Sequence, residues 1–537
     1  MPDDRPPPDL PPSVRERLAK LAPDQRAAAT APPGPVLCVA PAGSGKTTTL
    51  VARIAWRIAL GADPRSVCAV TFNRRAAEEL RERLDAALAP LGVASGEAQV
   101  RTFHALGMRI LRSAGVDVSR LADRTTVIER LAGGALPTAT MRVLDDAFTR
   151  LTLDPERGPA PDQTELHAAY AAYRAALAAD GAIDMDDLVA GAVRVLREDA
   201  ALLARWRKRA AVLLVDESQD LDRSQLDLAL LLAGDRRDVF LVGDDDQTIY
   251  AWRLADVRRI LGLAAQLPGL ERVDLTVNYR CPSEVVRRAD RLVSRVTERF
   301  VKRIDPAPNA TGTLVLAPDT GDDVARARRL LTAWFGRTDE GYAILARTNA
   351  ELAPYAAVAT ELGIPTQVAE DRLALDHPAV DRLLARAETL PATEPLLLRL
   401  ASALEPPDPE DPDGSVGRSV LAWAAPFDTL EGLRAGLARA RAGRLADGRR
   451  PLILATAHGT KGLEFDHVAV VGMDEGAFPS GRSVDEAPDP ARALDEERRL
   501  AYVAWTRARR ELVLVHDPYA PSVFLREAFD PQELRPP

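Results

Sequence analysis

The chain has 537 residues, enough for about three or four domains of roughly 100–200 residues each. Apolar residues make up 46% and charged residues 28%, which supplies a sizeable core, and no apolar run approaches the length of about 18 residues that a membrane span needs. Lys and Arg total 70 against 79 Asp and Glu, a formal net charge of −9 that by itself opposes a polyanionic partner.

That sum hides local structure. Residues 251–305 carry twelve Lys/Arg against seven Asp/Glu, and residues 404–415 carry five acids and no base. Global charge therefore does not decide the partner. The three cysteines, Cys38, Cys68 and Cys281, are too few for a disulfide framework or a cysteine-based zinc site, and they fit a reducing cytoplasm.

In chain order, residues 1–13 are Pro- and Asp-rich and lack an apolar core. They read as a disordered lead-in, not a secretory signal. Short apolar runs follow at 36–39, 67–70, 212–215 and 239–242, alternating with amphipathic helical patterns. Continuous apolar runs suit strands covered by helices on both faces. A second set lies at 313–316, 343–346, 452–455, 468–471 and 512–515. Two such clusters predict an α/β protein with two parallel-sheet cores.

The first core is expected over 14–115 and 205–279, interrupted by a helical insertion at 116–204 rich in Ala, Leu and Arg. The second is expected over 280–385 and 449–537, with a short accessory insertion at 386–448. That insertion contains the acidic, Pro-rich stretch 405–414, which can be neither helix nor central strand.

The run at 36–39 leads into Ala40-Pro41-Ala42-Gly43-Ser44-Gly45-Lys46-Thr47 and then a helical pattern with Leu50, Ile54 and Ile58. Glycines let backbone N–H groups approach phosphate oxygens, and the helix N-terminus favours negative charge. Lys46 can reach the β- and γ-phosphates, and the Thr47 hydroxyl can sit on Mg²⁺. The first glycine of the general motif is Ala40 here, and a glycine turn without a ligand is the plain alternative.

The run at 212–215 ends in Asp216-Glu217-Ser218-Gln219-Asp220. Neighbouring side chains on a strand point to opposite faces, so the two acids can divide the work. Asp216 would hold the hydration shell of Mg²⁺, with Glu217 beside it to orient and deprotonate an attacking water. Without the phosphate loop upstream, a solvated loop of charges would explain the same residues.

After 239–242 come Gln247, Tyr250, Trp252 and Arg253. A Gln near a γ-phosphate can report its presence. Tyr250 and Trp252 offer flat faces for stacked bases, worth about 1–3 kcal/mol each. The alternative is two core aromatics, against which the polar surroundings of Trp252 argue.

Taken together, these blocks resemble the UvrD/Rep/PcrA family of superfamily 1 DNA helicases, over nearly the whole chain from Leu21 to about Phe529. The family's phosphate loop begins with Ala, as here. The segment from Leu21 to Gln25 resembles its adenine-reading Q motif, and Asp216 to Asp220 its Asp-Glu-x-Gln-Asp box. Asn278-Tyr279-Arg280 resembles the segment that sets a Tyr on adenine and an Arg on the γ-phosphate. Stretches 456–465 and 496–508 resemble the last two motifs, with Arg507 as a second arginine finger.

The resemblance implies two RecA-like P-loop NTPase cores with ATP and Mg²⁺ as cofactors. Nucleotide would contact Gln25, Ala42, Gly43, Ser44, Gly45, Lys46, Thr47, Thr48, Tyr279, Arg280, Glu464 and Arg507, and Mg²⁺ would meet Thr47, Asp216 and Glu217. Catalysis would fall to Lys46, Glu217, Gln247, Arg280 and Arg507. DNA contacts are implied for Phe72, Asn73, Thr102, Phe103, His104, Tyr250, Trp252, Arg253, Arg347 and His458.

The implied function is 3′ to 5′ translocation on single-stranded DNA, with unwinding at duplex junctions, in a cytoplasmic protein of repair, replication or recombination. Thr48 stands where the best-known members have an Arg that sandwiches adenine, which loosens the expected selectivity for ATP. The short insertion at 386–448 points to weak intrinsic unwinding. An alternative is an ATPase subunit beside a nuclease or repair partner, as in phage defence. An ATPase-dead scaffold conflicts with the complete motif set, and RNA as the track has no support from the residues themselves.

Overall fold

The computed structural model describes residues 10–159, 162–234, 238–334, 340–364, 366–368, 377–404, 415–442 and 451–535. The chain divides into two units. The first is Met1–Val277 with Glu298–Arg303, and the second is Asn278–Thr297 with Ile304–Pro537. The first unit thus takes in Glu298–Arg303, a stretch expected in the second core.

In the first unit, β1 (Pro35–Val39), β2 (Val67–Thr71), β3 (Gln99–Thr102), β4 (Val212–Val215), β5 (Val239–Gly243) and β6 (Glu271–Asp274) form one sheet in the order β3-β2-β4-β5-β1-β6. Every ladder in it is parallel. The central strands β2, β4 and β5 are buried throughout, as their unbroken apolar runs predict. Edge strands β3 and β6 escaped that reading because Gln99-Val-Arg-Thr and Glu271-Arg-Val-Asp carry no apolar run.

Where the chain crosses between units, β7 (Val277–Asn278) and β8 (Asp305–Pro306) form a two-residue ladder. In the second unit, β9 (Thr313–Pro318), β10 (Tyr342–Ala346), β11 (Thr366–Val368), β12 (Leu452–Thr456), β13 (Phe465–Val470) and β14 (Ala508–His516) form the second all-parallel sheet, ordered β11-β12-β10-β13-β14-β9.

Packing redraws two expected insertions. Val127, Ile128, Ala147, Phe148, Tyr173 and Leu177 make a small separate core. Helix Asp187–Glu198 and the start of helix Ala200–Arg209, expected within the 116–204 insertion, instead bury Leu188, Val193, Leu196 and Leu202 in the core of the first sheet, together with Trp206 of the expected first core. Gly107 allows this. A Cβ there would lie 2.1 Å from the Leu188 carbonyl oxygen, so helix Phe103–Ser113 could not approach as closely with a larger residue.

The helices at 396–403, 415–424 and 430–442 bury Leu400, Val420, Trp423 and Leu433 with Leu352 and Ile344 in the second unit's core. Residues 405–414, the acidic stretch, lie outside the described residues. The end of the expected lead-in, residues 10–13, is ordered. Residues 1–9 lie outside the described residues, whereas Leu10 is buried and a helix begins at Pro12.

Candidate nucleotide site and nucleic-acid interface

In the first unit, β1 turns through Gly43 (φ 69°) and Gly45 (φ 84°) into helix Lys46–Ala59. Both glycines occupy the left-handed region that a side chain disfavours. The loop is braced from below. The Gln25 amide nitrogen donates to the Ser44 carbonyl at 2.8 Å, and its oxygen accepts from the Ala22 backbone N–H at 3.1 Å. A Cβ on Gly45 would come within 2.6 Å of that same amide. The structure therefore sets Gln25 as a support of the phosphate loop. Thr48, on the first helical turn, is exposed.

At the end of β4 the chain makes an unusual turn, with Glu217 at φ 50°. Non-glycine residues rarely adopt this conformation, and it aims the carboxylate back toward the phosphate loop. Lys46 Nζ lies 3.8 Å from Glu217 Oε1, with both side chains mostly buried. Gln219 holds Glu217 from the other side. Its Nε2 donates to Glu217 Oε2 at 2.7 Å, and its Oε1 accepts from the Asp244 backbone N–H at 3.0 Å. Gln219 ties the ends of β4 and β5 together, a role that the Asp-Glu-x-Gln-Asp spacing signals but does not by itself assign.

Thr47 and Asp216 offer a hydroxyl and a carboxylate, the latter already accepting from the Glu217 backbone N–H at 3.0 Å. Two hard oxygen donors fit Mg²⁺ shared with substrate phosphates and water. Among the described residues no group of three or more His, Cys, Asp or Glu is arranged to hold a metal, so a phosphate-shared ion is the mode these donors suit.

Beyond β5 lies a buried ionic cluster that sequence reasoning missed. Lys302 Nζ sits 2.7 Å from Asp244, 2.5 Å from Asp245 and 2.9 Å from Asp246, and all four side chains are fully buried. Arg299 adds a second cation on Asp246 at 2.7 Å. Burial pushes the Asp244 carboxyl up, but the ammonium groups of Lys302 and Lys46 outweigh it and hold it well below the usual range. Asp244 Oδ2 accepts from Gln247 Nε2 at 2.7 Å. The residue expected to sense a γ-phosphate is thus oriented by a carboxylate that Lys302 neutralises.

Nearby, Phe72 stacks on Tyr250 with centroids 5.0 Å apart and planes 12° from parallel. Trp252 meets Tyr250 edge-on at 6.1 Å and is 62% exposed, and the Arg253 guanidinium lies 4.5 Å from the Trp252 ring. The exposure of Trp252 excludes the core-aromatic alternative for that residue. Asn73 and Thr102 cap the helices that follow β2 and β3, each accepting the backbone N–H of the third residue of its helix. Phe103 is a correction to the expected DNA contacts. It is buried among Leu106 and Ile110 in the core, because the first helical turn directs it inward. His104 is partly buried, and burial pushes its pKa down.

In the second unit, Arg280 Nε donates to Glu464 at 2.7 Å and Nη1 to the Thr506 carbonyl at 3.1 Å. Arg507 is buried, donating to the carbonyls of Val503 at 2.8 Å and Leu463 at 3.2 Å. Arg280, Glu464 and Arg507 therefore belong to one cluster within that unit, beside the half-exposed ring of Tyr279. Arg347 is engaged in a bidentate pair with Glu497, Nε donating to Oε2 at 2.9 Å and Nη2 to Oε1 at 2.7 Å. Burial, then the charge of Arg347, pushes His458 down to about 4, so it is neutral at physiological pH.

The sequence matches the UvrD/REP helicase N-terminal domain over residues 21–158 and 140–268 and the UvrD-like helicase C-terminal domain over residues 436–517. The chain belongs to the UvrD/REP helicase family. Among its relatives, ATP-dependent DNA helicase UvrD2 of Mycobacterium tuberculosis is 30% identical over 93% of this chain and 78% of its own. DNA helicase II of Escherichia coli is 28% identical over 93% and 84% of the two chains, and Rep of the same organism 27% over 92% and 90%. The two cores are accordingly the RecA-like P-loop sheets of a UvrD-like helicase.

For a helicase of this family, the exposed Trp252 makes a sharp prediction. Trp252→Ala should weaken single-strand binding by about 1–3 kcal/mol and slow translocation, with nucleotide affinity little changed. Parallel titrations with a labelled oligonucleotide and a fluorescent nucleotide test this. Equal losses in both would remove the stacking role.

Proposed function

We propose that this helicase is an ATP-driven motor on single-stranded DNA that moves 3′ to 5′ and opens duplex junctions, acting in the cytoplasm in repair, replication or recombination. The carrying observation is the opposition of Lys46 and Glu217 across 3.8 Å, with Glu217 held by Gln219. This pairs a cation for the nucleotide phosphates with a base for the water that attacks them.

In this reading the N–H groups of 43–47 and the Lys46 ammonium donate to the oxygens of the β- and γ-phosphates. Mg²⁺, held by Thr47 and Asp216, would neutralise charge on the phosphate oxygens. Glu217 orients the water and takes its proton. Gln247 responds to the γ-phosphate and passes the change to the strand-gripping aromatics three and five residues on. Arg280 and Arg507 carry positive charge for the transferring phosphoryl group, and Tyr279 stacks on the base.

Several features support this assignment. Of the relatives named above, UvrD2 and Rep are ATP-dependent DNA helicases by name, and the third is a DNA helicase by name. Among the described residues no helix is long and apolar enough to cross a membrane. Strand displacement with 3′- and 5′-tailed duplexes, with and without ATP, is the test. ATP-dependent displacement restricted to the 3′-tailed substrate is expected. Preference for the 5′ tail would overturn the polarity.

A second reading, an ATPase subunit beside a nuclease or repair partner with little unwinding of its own, is favoured by one observation. The described helices of 386–442 share the second unit's core and do not form a separate core of their own. Robust displacement by the isolated protein would count against it.

A further inference from the structure

We propose that a groove on the first unit, lined by Arg101, Arg109, Arg112 and Arg209, binds the sugar–phosphate backbone of a DNA duplex arm. The groove, about 840 Å³, runs between helices Phe103–Ser113 and Ala200–Arg209, and its lining contains no Asp or Glu. Among the described residues none of the four guanidinium groups forms an ion pair. In a chain of net charge −9, four guanidinium groups without an acid partner facing one channel stand out.

Arg101 makes the case stronger. Its Nε is buried without a hydrogen-bond partner. Burial, then the charge of Arg109, pushes this guanidinium down from its ordinary value. A phosphate in the groove would relieve the repulsion between the Arg101 and Arg109 charges.

The groove suits a paired strand better than an unpaired one. Its one large aromatic, Trp206, is 2% exposed, donates Nε1 to Ser113 Oγ at 2.8 Å, and has the Arg209 guanidinium 5.3 Å from its ring. No face is left for a base to stack on, so recognition falls on phosphates, as it does where bases are turned inward. The groove also takes in His104, at the strand-to-helix turn that the family resemblance assigns to single-strand contacts, so it lies beside that turn.

The proposal rests on the DNA-motor reading, and the experiment separates the two. Full-length protein and its Arg109→Gln/Arg112→Gln/Arg209→Gln variant are titrated with single-stranded, 3′-tailed duplex and blunt duplex DNA across a salt series. These three side chains are exposed, so folding is spared. We expect at least a tenfold loss on both duplex substrates. The salt slope should fall by about 0.9 for each phosphate that is no longer neutralised, or roughly 2–3 in all. Single-strand affinity and single-strand-stimulated ATPase should be unchanged. Unaltered duplex binding, or an equal loss on the single strand, would overturn the groove assignment. Failure of the unmodified protein to bind single strands or to respond to them would overturn the motor reading instead.

Discussion

Glu217→Gln is expected to lower DNA-stimulated ATP turnover by about 100- to 10,000-fold, the usual contribution of a positioned general base. Gln keeps the size of the side chain and can still meet the Gln219 amide through its oxygen, so the turn at φ 50° should survive. Only the proton acceptor is lost. Nucleotide binding should be retained or strengthened, because a negative charge 3.8 Å from the Lys46 ammonium disappears. Lys46→Ala should instead lose both turnover and nucleotide affinity, since it removes the cation itself. Steady-state ATPase and nucleotide titration on both variants distinguish the roles. Near wild-type turnover in Glu217→Gln would mean that another group takes the proton.

Lys302→Met should destabilise the first unit by roughly 3–5 kcal/mol, the range for removing one partner from a buried ionic group. Lys302 meets three carboxylates, and its burial and theirs are complete. Without the ammonium, the cations left for those acids would be Arg299, on Asp246, and the more distant charge of Lys46 on Asp244. The sign with pH follows from the Asp244 carboxyl, which the lysine charges hold below its ordinary value against the opposing push of burial. That stability is present above the unfolded carboxyl range and is lost as pH falls through the lowered value. In the variant the carboxyls rise and take up protons sooner, so the deficit relative to wild type should shrink on acidification. Denaturant unfolding at pH 8 and pH 5.5 reads both the size and the sign. A deficit that grew toward acid would refute the account.

How much of the site was legible in the sequence depended on how local each feature is. The phosphate loop and the acids after β4 are strand, turn and helix in consecutive residues, so residue type and order determine their geometry. The central strands were legible for the same reason, as unbroken apolar runs, while the edge strands β3 and β6 were hidden by their mixed polarity. Phe103 was misread because a strand-to-helix junction presents one residue outward and the next inward, and motif order does not say which.

The sequence by itself thus determined the family, the two parallel sheets and the residue types of the glycine loop and of the acids after β4, because each is encoded over a few neighbouring positions. Tertiary structure alone decided that Lys302, 58 residues from Asp244, neutralises the acids that orient Gln247. It alone decided that Gln25 braces the phosphate loop and that Arg347 is engaged by Glu497. It also brought Arg209 beside Arg101, Arg109 and Arg112. Charge pairing and burial depend on which distant segments fold together, and no local pattern in the chain carries that information.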